Sequence, residues 1–408
     1  MSKRMVSVLG ALMALAQVVE AQAEPAFPAL STVVERAAAR SYGVTQARGA
    51  RAVAEAARVG ARVAPGLNPA VQFSVDRGWL GVTKDVSVLG SVALPFEVSG
   101  QRGARIEEAE QLAAWRDRGL VDARSVAVGR AVQAYGEVVV GAARIAEAER
   151  GESHARQEVA LMGERVAAGD ATVYELSLAD TERTRWSQAK AEARLRLVEA
   201  LGALEQLLGE EALPPPPENT GAEPPGLRAP VREASPRPIP AVAALQAESS
   251  YWEASRKRAE AERNAPVSVL VTAGRGDAGE LRLGGGLGFV LPFPRRNQGE
   301  IARAQAEQGR AQAEASALER LAKSRLSRAS EAYTTAMEAV AMVDTAALPA
   351  AERAVDAAFA SYRAGKTELT QVLLARRELA ATHARRLELL ANAWRALGEV
   401  TAWRGELP

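Results

Sequence analysis

The 408-residue sequence contains no cysteine, which excludes a disulfide framework and a lipid anchor attached through an amino-terminal cysteine. Charge of one sign is lacking as well, because 51 basic residues oppose 50 acidic ones and leave a formal net charge of +1. No electrostatic field therefore favours nucleic acid as a partner. Aromatic residues make up only 4% of the chain, whereas alanine, leucine, arginine and glutamate are abundant. This composition is typical of long helices.

Long apolar runs are missing after the amino terminus. No later stretch approaches 18 consecutive apolar residues, so no transmembrane helix is expected. The amino-terminal apolar segment, 5–19, follows Lys3 and Arg4 and leads to Ala21-Gln22-Ala23. This order is typical of a secretory signal peptide that ends at residue 23. The mature chain is therefore expected to be exported, and it can meet a membrane only as β-structure or at a surface.

What the sequence does contain is a tandem repeat with a shift of 196 residues. Ala168-Gly169 interrupts a long helical pattern in the first half, and Ala364-Gly365 interrupts one in the second half. Leu94-Pro95-Phe96 and Leu291-Pro292-Phe293 open the two helical runs. Short alternating strands, a long helix, a glycine and a second long helix follow one another in both halves. The repeat predicts a duplicated, extended architecture rather than separate globular domains.

Each repeat is predicted to contain a long antiparallel helical hairpin. In the first repeat the helix before the glycine begins near Ala104, after Gly100 and Gly103, and ends at Ala168, and its partner covers about 172–208. Leucines with alternating spacings of four and three residues predict a packed seam. The seam residues are Leu197, Leu201, Leu204 and Leu208 in the first repeat, and Leu387, Leu390, Trp394 and Leu397 in the second.

The glycines predict where the helices end. Gly169 and Gly365 are interpreted as left-handed residues that terminate the first helix of each hairpin. The next helix is expected to be capped by Asp170 or Thr172 in the first repeat and by Thr367 in the second. Each hairpin should therefore have a tight, exposed tip.

A proline predicts an interruption of the long helices. Pro349 lies in the middle of the second long helix, and its counterpart in the first repeat is Ser153, beside Gly151. We expect both long helices to be interrupted at the same height.

Four short stretches with alternating apolar residues predict β-strands. They form two hairpins, at about 69–97 and 266–293, with strands of about 8 to 12 residues. That length suits a tilted crossing of an outer membrane. Four strands cannot close a barrel, and an open edge is not tolerated in lipid, so the membrane interpretation requires an oligomer. Three copies would supply twelve strands.

Two motifs have better structural than functional explanations. Residues 274–279 match the dinucleotide-binding pattern G-x-G-x-x-G, but the following glycine-rich stretch is unsuited to the helix that this site needs. A hairpin loop is expected there, and the Arg-Gly-Asp within it is interpreted as coincidental. His154 and His383 lie on different predicted helices without further ligands at metal-site spacing. No catalytic residue, cofactor or metal site is predicted, and an enzyme is not expected.

Taken together, these features resemble the TolC-type outer membrane efflux proteins over the whole mature chain, with the closest similarity to the outer membrane subunits of heavy-metal (CzcC/CusC-like) pumps. The resemblance rests on residues 100–105 (GQRGAR), 291–301 (LPFPRRNQGEI), 361–369 (SYRAGKTEL) and 371–375 (QVLLA).

The resemblance implies a mainly α fold with a small membrane β part. The expected organisation is a signal peptide at 1–23, a first repeat at 24–213, a Pro-rich connector at 214–240 and a second repeat at 241–408. Each repeat would hold a helix, a β-hairpin and a long helical hairpin, at about 104–209 and 299–404. A homotrimer would then combine a twelve-stranded β-barrel in outer membrane lipid with a periplasmic α-barrel.

The resemblance also implies partners at the hairpin tips. A periplasmic adaptor protein, linked to an inner membrane pump of the RND type, would contact the tips. The residues expected there are Ala168, Gly169, Asp170, Thr172, Ala364, Gly365, Lys366 and Thr367.

An acidic ring often restricts the periplasmic entrance in this family. The corresponding positions here are Gln371 and Leu374, so that ring is absent or altered. Glu175 and Glu368 are candidate substitutes, and Gln371 stays a gate candidate by position.

The sequence leaves other functions open. An exported, soluble coiled-coil scaffold or adaptor would explain the helices but not the two hairpins of membrane length. The same channel could also serve drug efflux or type I protein secretion instead of heavy-metal efflux, because nothing in the chain identifies the cargo.

Overall fold

The computed structural model describes residues 26–64, 68–77, 86–209, 212–217, 221–226, 238–264, 266–276, 279–289 and 296–405. The expected signal peptide, the second Leu-Pro-Phe sequence and parts of the Pro-rich connector lie outside these residues. Among the residues described, no helix has both the length and the apolar composition needed to cross a bilayer.

The first repeat consists of four helices and one β-hairpin. They are α1 (Leu30–Arg40), α2 (Tyr42–Arg62), β1 (Ala70–Arg77), β2 (Val86–Phe96), α3 (Gln101–Ala168) and α4 (Val173–Leu208). With 68 residues, α3 is the longest helix described.

The second repeat follows the same order. It contains α5 (Pro240–Ala261), β3 (Val267–Arg275), β4 (Leu281–Phe289), α6 (Gln298–Met342), a π-helical turn (Val343–Ala347), α7 (Leu348–Arg363) and α8 (Leu369–Arg404). Residues 274–276 and 279 of this motif belong to the β3–β4 hairpin, in which the Gly276 amide donates to the Glu280 carbonyl at 2.9 Å. The hairpin interpretation of this glycine motif is confirmed.

The four strands form one antiparallel sheet in the order β1-β2-β3-β4. Its register aligns Val71, Val92 and Val271 in one row across three strands. Because side chains alternate along a strand, most apolar residues of the four strands share one face, and Leu89 and Leu270 are on the other. The other face carries mainly small and polar residues, including Gln72, Ser91 and Thr272. β1 and β4 are the open edges of the sheet.

The helices form a layer that continues below the sheet. Near the sheet the packing order is α2-α3-α5-α6, and towards the glycine tips it is α4-α3-α8 followed by α6, the π-helical turn and α7. In both regions α3 lies inside the layer, with α2 and α4 on one flank and α6 on the other. The largest apolar cluster lies midway, around Leu390, Trp394 and Leu397. The predicted seams are buried, except that Leu201 is half-buried.

Both long helices begin with the same backbone elbow. Gly100 and Asn297 precede the helices with left-handed φ angles of 76° and 56°. The first side chain of each helix turns back, so that Gln101 Oε1 accepts from the Ser99 amide at 2.8 Å and Gln298 Oε1 accepts from the Arg296 amide at 2.9 Å. Gly103 lies inside α3, so the predicted start near Ala104 is too late by one turn.

The predicted interruption of both long helices is wrong for the first repeat. α3 continues through Gly151 and Ser153 without a break. In the second repeat, the helix accommodates Pro349 through the π-helical turn immediately before it. Proline lacks the backbone donor that a regular helix needs there, whereas serine has it.

Part of the Pro-rich connector packs along the helices near Trp394. The Trp394 indole donates to the Ala222 carbonyl at 2.8 Å, and the Tyr333 hydroxyl donates to the Pro225 carbonyl at 2.8 Å. Arg386 reaches the Glu223 carboxylate at 2.9 Å and also binds Asp344 in the π-helical turn. The described part of the connector thus ties α6 to α8.

Candidate functional site at the hairpin tips

The two hairpin tips have the same backbone structure. Gly169 and Gly365 have φ angles of 81° and 68°, as predicted for residues that end a helix. The next amides, of Asp170 and Lys366, donate to the carbonyls of Arg165 and Ser361 at 2.8 and 2.9 Å. These bonds close the last turn of α3 and of α7 in the same way. The duplication is therefore retained at the level of single hydrogen bonds.

The caps of the following helices differ between the repeats. Thr172 caps α4 by a reciprocal pair of bonds, in which the Glu175 amide donates to its hydroxyl and its own amide donates to Glu175 Oε2 at 2.8 Å. In the second repeat the capping position is Glu368, whose side chain makes no capping bond. The prediction of Thr367 as this cap is wrong. The shift of 196 residues places Glu368, not Thr367, opposite Thr172.

The predicted tip residues are accessible. Ala168, Gly169, Asp170, Thr172, Ala364, Gly365 and Lys366 are exposed, whereas Thr367 is half-buried. Of the gate candidates, Glu175 is half-buried and engaged in the cap, while Glu368 and Gln371 are exposed. Thr370 donates to Glu368 at 3.1 Å. Glu175 is therefore the least free of the three to interact with other molecules.

Directly above the tips, an apolar cluster joins the two hairpins. Its buried members are Met162, Ala179, Tyr362, Leu369, Val372 and Leu373. The Tyr362 hydroxyl accepts from Arg165 at 2.5 Å and donates to the Met162 sulfur at 3.6 Å. Burial raises the pKa of Tyr362 above its ordinary value. This hydroxyl therefore stays protonated at neutral pH and holds α7 against α3.

Two ion pairs join the hairpins further from the tips. Arg377 on α8 donates twice to Glu182 on α4, at 2.8 and 3.0 Å, and Arg376 lies 2.7 Å from Glu158 on α3. Both carboxylates are buried. Burial raises the pKa of the Glu158 carboxyl, Arg376 opposes this effect, and Glu182 adds to it. We call these two pairs, together with Arg165–Tyr362, the inter-hairpin clamp.

No family model matches the sequence. The cobalt-zinc-cadmium resistance protein CzcC of Cupriavidus metallidurans is 26% identical over 317 residues, which cover 74% of this chain and 73% of CzcC. A membrane protein from Pseudomonas aeruginosa aligns with a TM-score of 0.76 at 21% identity, covering 94% of this chain and 91% of that chain. The outer membrane protein VceC of Vibrio cholerae gives a TM-score of 0.72 at 17% identity, covering 93% and 97%. This chain has the TolC-type outer membrane channel fold.

Within the TolC-type fold, the sequence identified the tips but missed the clamp. Gly169 and Gly365 stand out because a left-handed residue that ends a helix is usually glycine. Arg376 and Arg377 do not stand out, because the helices carry many arginines with similar spacing. Only the packing register of α8 against α3 and α4 places them opposite buried carboxylates.

The described residues contain no group of three histidine, cysteine or acidic side chains that could hold a metal ion. His154 is exposed and His383 is half-buried, on helices α3 and α8. The tips and the clamp offer hydrogen bonds, ion pairs and apolar packing, which suit contacts between helices.

Proposed function

We propose that this chain is the outer membrane channel subunit of a tripartite efflux system. Three copies would form one continuous conduit, with the sheet in the outer membrane and the helices in the periplasm. The conduit is passive, and the energy for transport comes from an inner membrane pump, proposed to be of the RND type. The observation that carries the proposal is the sheet, which has one apolar face and two open edges.

The exposed apolar face of the sheet fits a lipid environment. Phe73, Leu283 and Leu287 are 79%, 75% and 71% exposed in the single chain. A continuous apolar surface of this kind is costly in water and favourable in lipid. The strands contain 8, 11, 9 and 9 residues, close to the roughly 9–11 that a tilted membrane strand requires.

The open edges of the sheet support the trimer. The backbone groups of β1 and β4 that point away from the sheet have no partner strand among the described residues. In lipid each such group must be paired, so β4 of one copy is expected to bond β1 of the next. Three copies close twelve strands, an even number that is usual for outer membrane barrels. A soluble scaffold would leave both the apolar face and the edges without a role.

The proposed cargo is heavy-metal cations, and the support for it is the sequence similarity to CzcC, which is named as a cobalt-zinc-cadmium resistance protein. The proposed partner at the tips is a periplasmic adaptor protein that links the channel to the pump. The tip residues fit this role because all of them except the half-buried Thr367 are exposed, and they belong to two equivalent loops at the end remote from the sheet. The clamp would hold the second hairpin against the first while the entrance is closed.

The mature protein, extracted from outer membranes in mild detergent, provides the test. Light scattering should give the mass of a trimer, and the trimer should insert into a planar lipid bilayer and conduct small ions. A monomer or dimer that is extracted without detergent would contradict the channel and favour the scaffold. Export of cobalt, zinc or cadmium by cells with and without the gene then tests the cargo, since an unchanged metal tolerance would contradict it.

A further inference from the structure

One flank of the helical layer carries an apolar ridge that no described residue of the chain covers. Leu195 and Val198 on α4 are 61% and 67% exposed. They point away from Leu197 and Leu204, which pack into the layer. Three residues apart on a helix, the two side chains are neighbours and form one continuous surface.

The opposite flank carries an apolar groove beside the π-helical turn. It is lined by Ala339, Met342, Val343, Ala346, Ala347 and Leu389, with Arg385 at its rim. Met342 is 64% exposed. The small side chains of the turn leave an open depression between α6 and α8.

The ridge and the groove lie at the same distance from the sheet along the helix axes. On α3, Gly141 lies against Leu197, and Gly136 lies against Trp394. Because α3 and α8 run antiparallel, Leu389 is about five residues further towards the tips than Trp394 and is therefore level with Gly141. The groove at Leu389 is thus level with Leu197, between the two ridge residues.

We propose that the ridge of one copy sits in the groove of the next copy and forms the equatorial seam of the assembly. The proposal rests on the homotrimer proposed above and identifies its helical contact. The ring geometry supports a second copy as the occupant. A rotation that brings β4 beside the next β1 also brings α6 beside the next α4, because β1 and α4 share one flank and β4 and α6 share the other. Such a head-to-tail contact closes into a ring.

The charges around the two surfaces complement each other. Glu192 and Glu199 lie one turn before and after Leu195, on its side of α4, and both are exposed. Arg385 stands at the rim of the groove, where its only described ion pair is with Glu388 on its own helix, at 2.9 Å. The seam therefore brings acidic side chains from one copy to a guanidinium of the next.

The absence of cysteine allows a direct test by thiol crosslinking. In the variant with Leu195→Cys and Met342→Cys, the introduced cysteines are the only two thiols of each chain. A short bismaleimide added to outer membranes should produce covalent dimers and trimers. The matched control combines Arg194→Cys with Met342→Cys, because Arg194 lies about 100° around α4 and pairs with Glu149. Neither the control nor the single variants should form the covalent trimer.

The mass of each variant in detergent distinguishes the two proposals. A trimer that does not crosslink through residues 195 and 342 would overturn the seam and leave the trimer standing. A monomer would overturn both. A crosslink confined to a single chain, or one formed only with a different protein, would also overturn the seam.

A second measurement does not depend on crosslinking. Replacing Leu195 and Val198 by aspartate should weaken the trimer by about tenfold or more, since each side chain then loses its apolar contact. Ala203→Asp, at an exposed position about 80° around α4 from Leu195, is the control and should leave the trimer intact. Equal trimer stability in both variants would contradict the seam.

Discussion

Single residues set the register of this helical layer. Every buried carboxylate among the described residues belongs to a glutamate, and each one meets a basic side chain of a different helix. The pairs are Glu108–Arg258, Glu152–Lys190, Glu158–Arg376, Glu182–Arg377 and Glu248–Arg310. Sliding one helix by one turn past its neighbour would be costly, because the buried carboxylate would then lose its basic partner. Alanine-rich surfaces pack in many registers, and these pairs favour one.

The inter-hairpin clamp leads us to expect a higher single-channel conductance in the variant Arg377→Gln. This change removes both hydrogen bonds to Glu182, each of the charged kind that contributes about 1.5–3 kcal/mol. The second hairpin should separate more easily from the first, so the single-channel conductance should rise. Arg183→Gln is the control, because Arg183 pairs with Asp180 on its own helix at an exposed site. Equal conductance in both variants would contradict a role for Arg377 in holding the two hairpins together.

The buried Glu158 should make the stability of the folded protein depend on pH. Its pKa is raised above 4.5 mainly by burial, so the folded protein favours the protonated form. Protonated Glu158 stabilises the folded protein fully below pH 4.5, and this stabilisation is lost as the pH rises through the pKa of Glu158 in the folded state. Glu158→Gln should therefore raise the unfolding temperature at pH 7 and flatten its dependence on pH above 4.5. Circular dichroism melting measures this, and the exposed Glu164→Gln should behave as the wild type does.

At the scale of single elements, α3 depends on glycines that allow close contact. A Cβ atom built on Gly136 would lie 2.3 Å from Trp394 Cγ, and one on Gly151 would lie 2.4 Å from Trp186 Cδ2. Glycine costs helix stability on its own, by up to about 1 kcal/mol relative to alanine. Here the indole rings pack directly on the α3 backbone, and this packing compensates for that loss.

Gly151→Ala should destabilise the hairpin, although alanine is the better helix former. The new methyl group forces Trp186 away, at a cost of about 1–3 kcal/mol. The control is Gly163→Ala in the same helix, where nothing lies within 4 Å of the added atom. That variant should be as stable as the wild type or more stable. If melting curves show the opposite order, the close contact with Trp186 is not limiting.

The elements that the sequence predicts well are those with local signals. Alternating valines predict strands, and Gly169 and Gly365 predict the ends of helices, because each signal depends on the residue's own conformation. The continuity of α3 follows from a local property, because Ser153 keeps the backbone donor that Pro349 lacks. The close contact of Gly151 with Trp186 has no local signal, since it depends on another helix. The clamp was missed for the same reason. The capping position at Glu368 was assigned to Thr367 because threonine is the better cap by propensity.

At the scale of the whole molecule, the two faces of the sheet should respond differently to charge. Val271→Arg places a guanidinium on the apolar face near the middle of β3, where it costs about 2–4 kcal/mol in lipid. Thr272→Arg places the same group on the opposite face, which is proposed to line the conduit. The first variant should be depleted from the outer membrane, while the second should assemble and change ion selectivity. Equal depletion of both variants would contradict the assignment of the faces.

The elbows at Gly100 and Asn297 have a mechanical consequence. Each stands at the start of a long helix, at the end of that helix nearer the sheet, so the helix can act as a lever that pivots there. At about 1.5 Å per residue α3 is about 100 Å long, and a tilt of about 5° at the elbow moves its tip by about 9 Å. In the proposed trimer, a displacement of that size in each copy would change the width of the entrance without unwinding any helix. Stiffness at the elbow, far from the tips, therefore sets how much force the tips must receive to move.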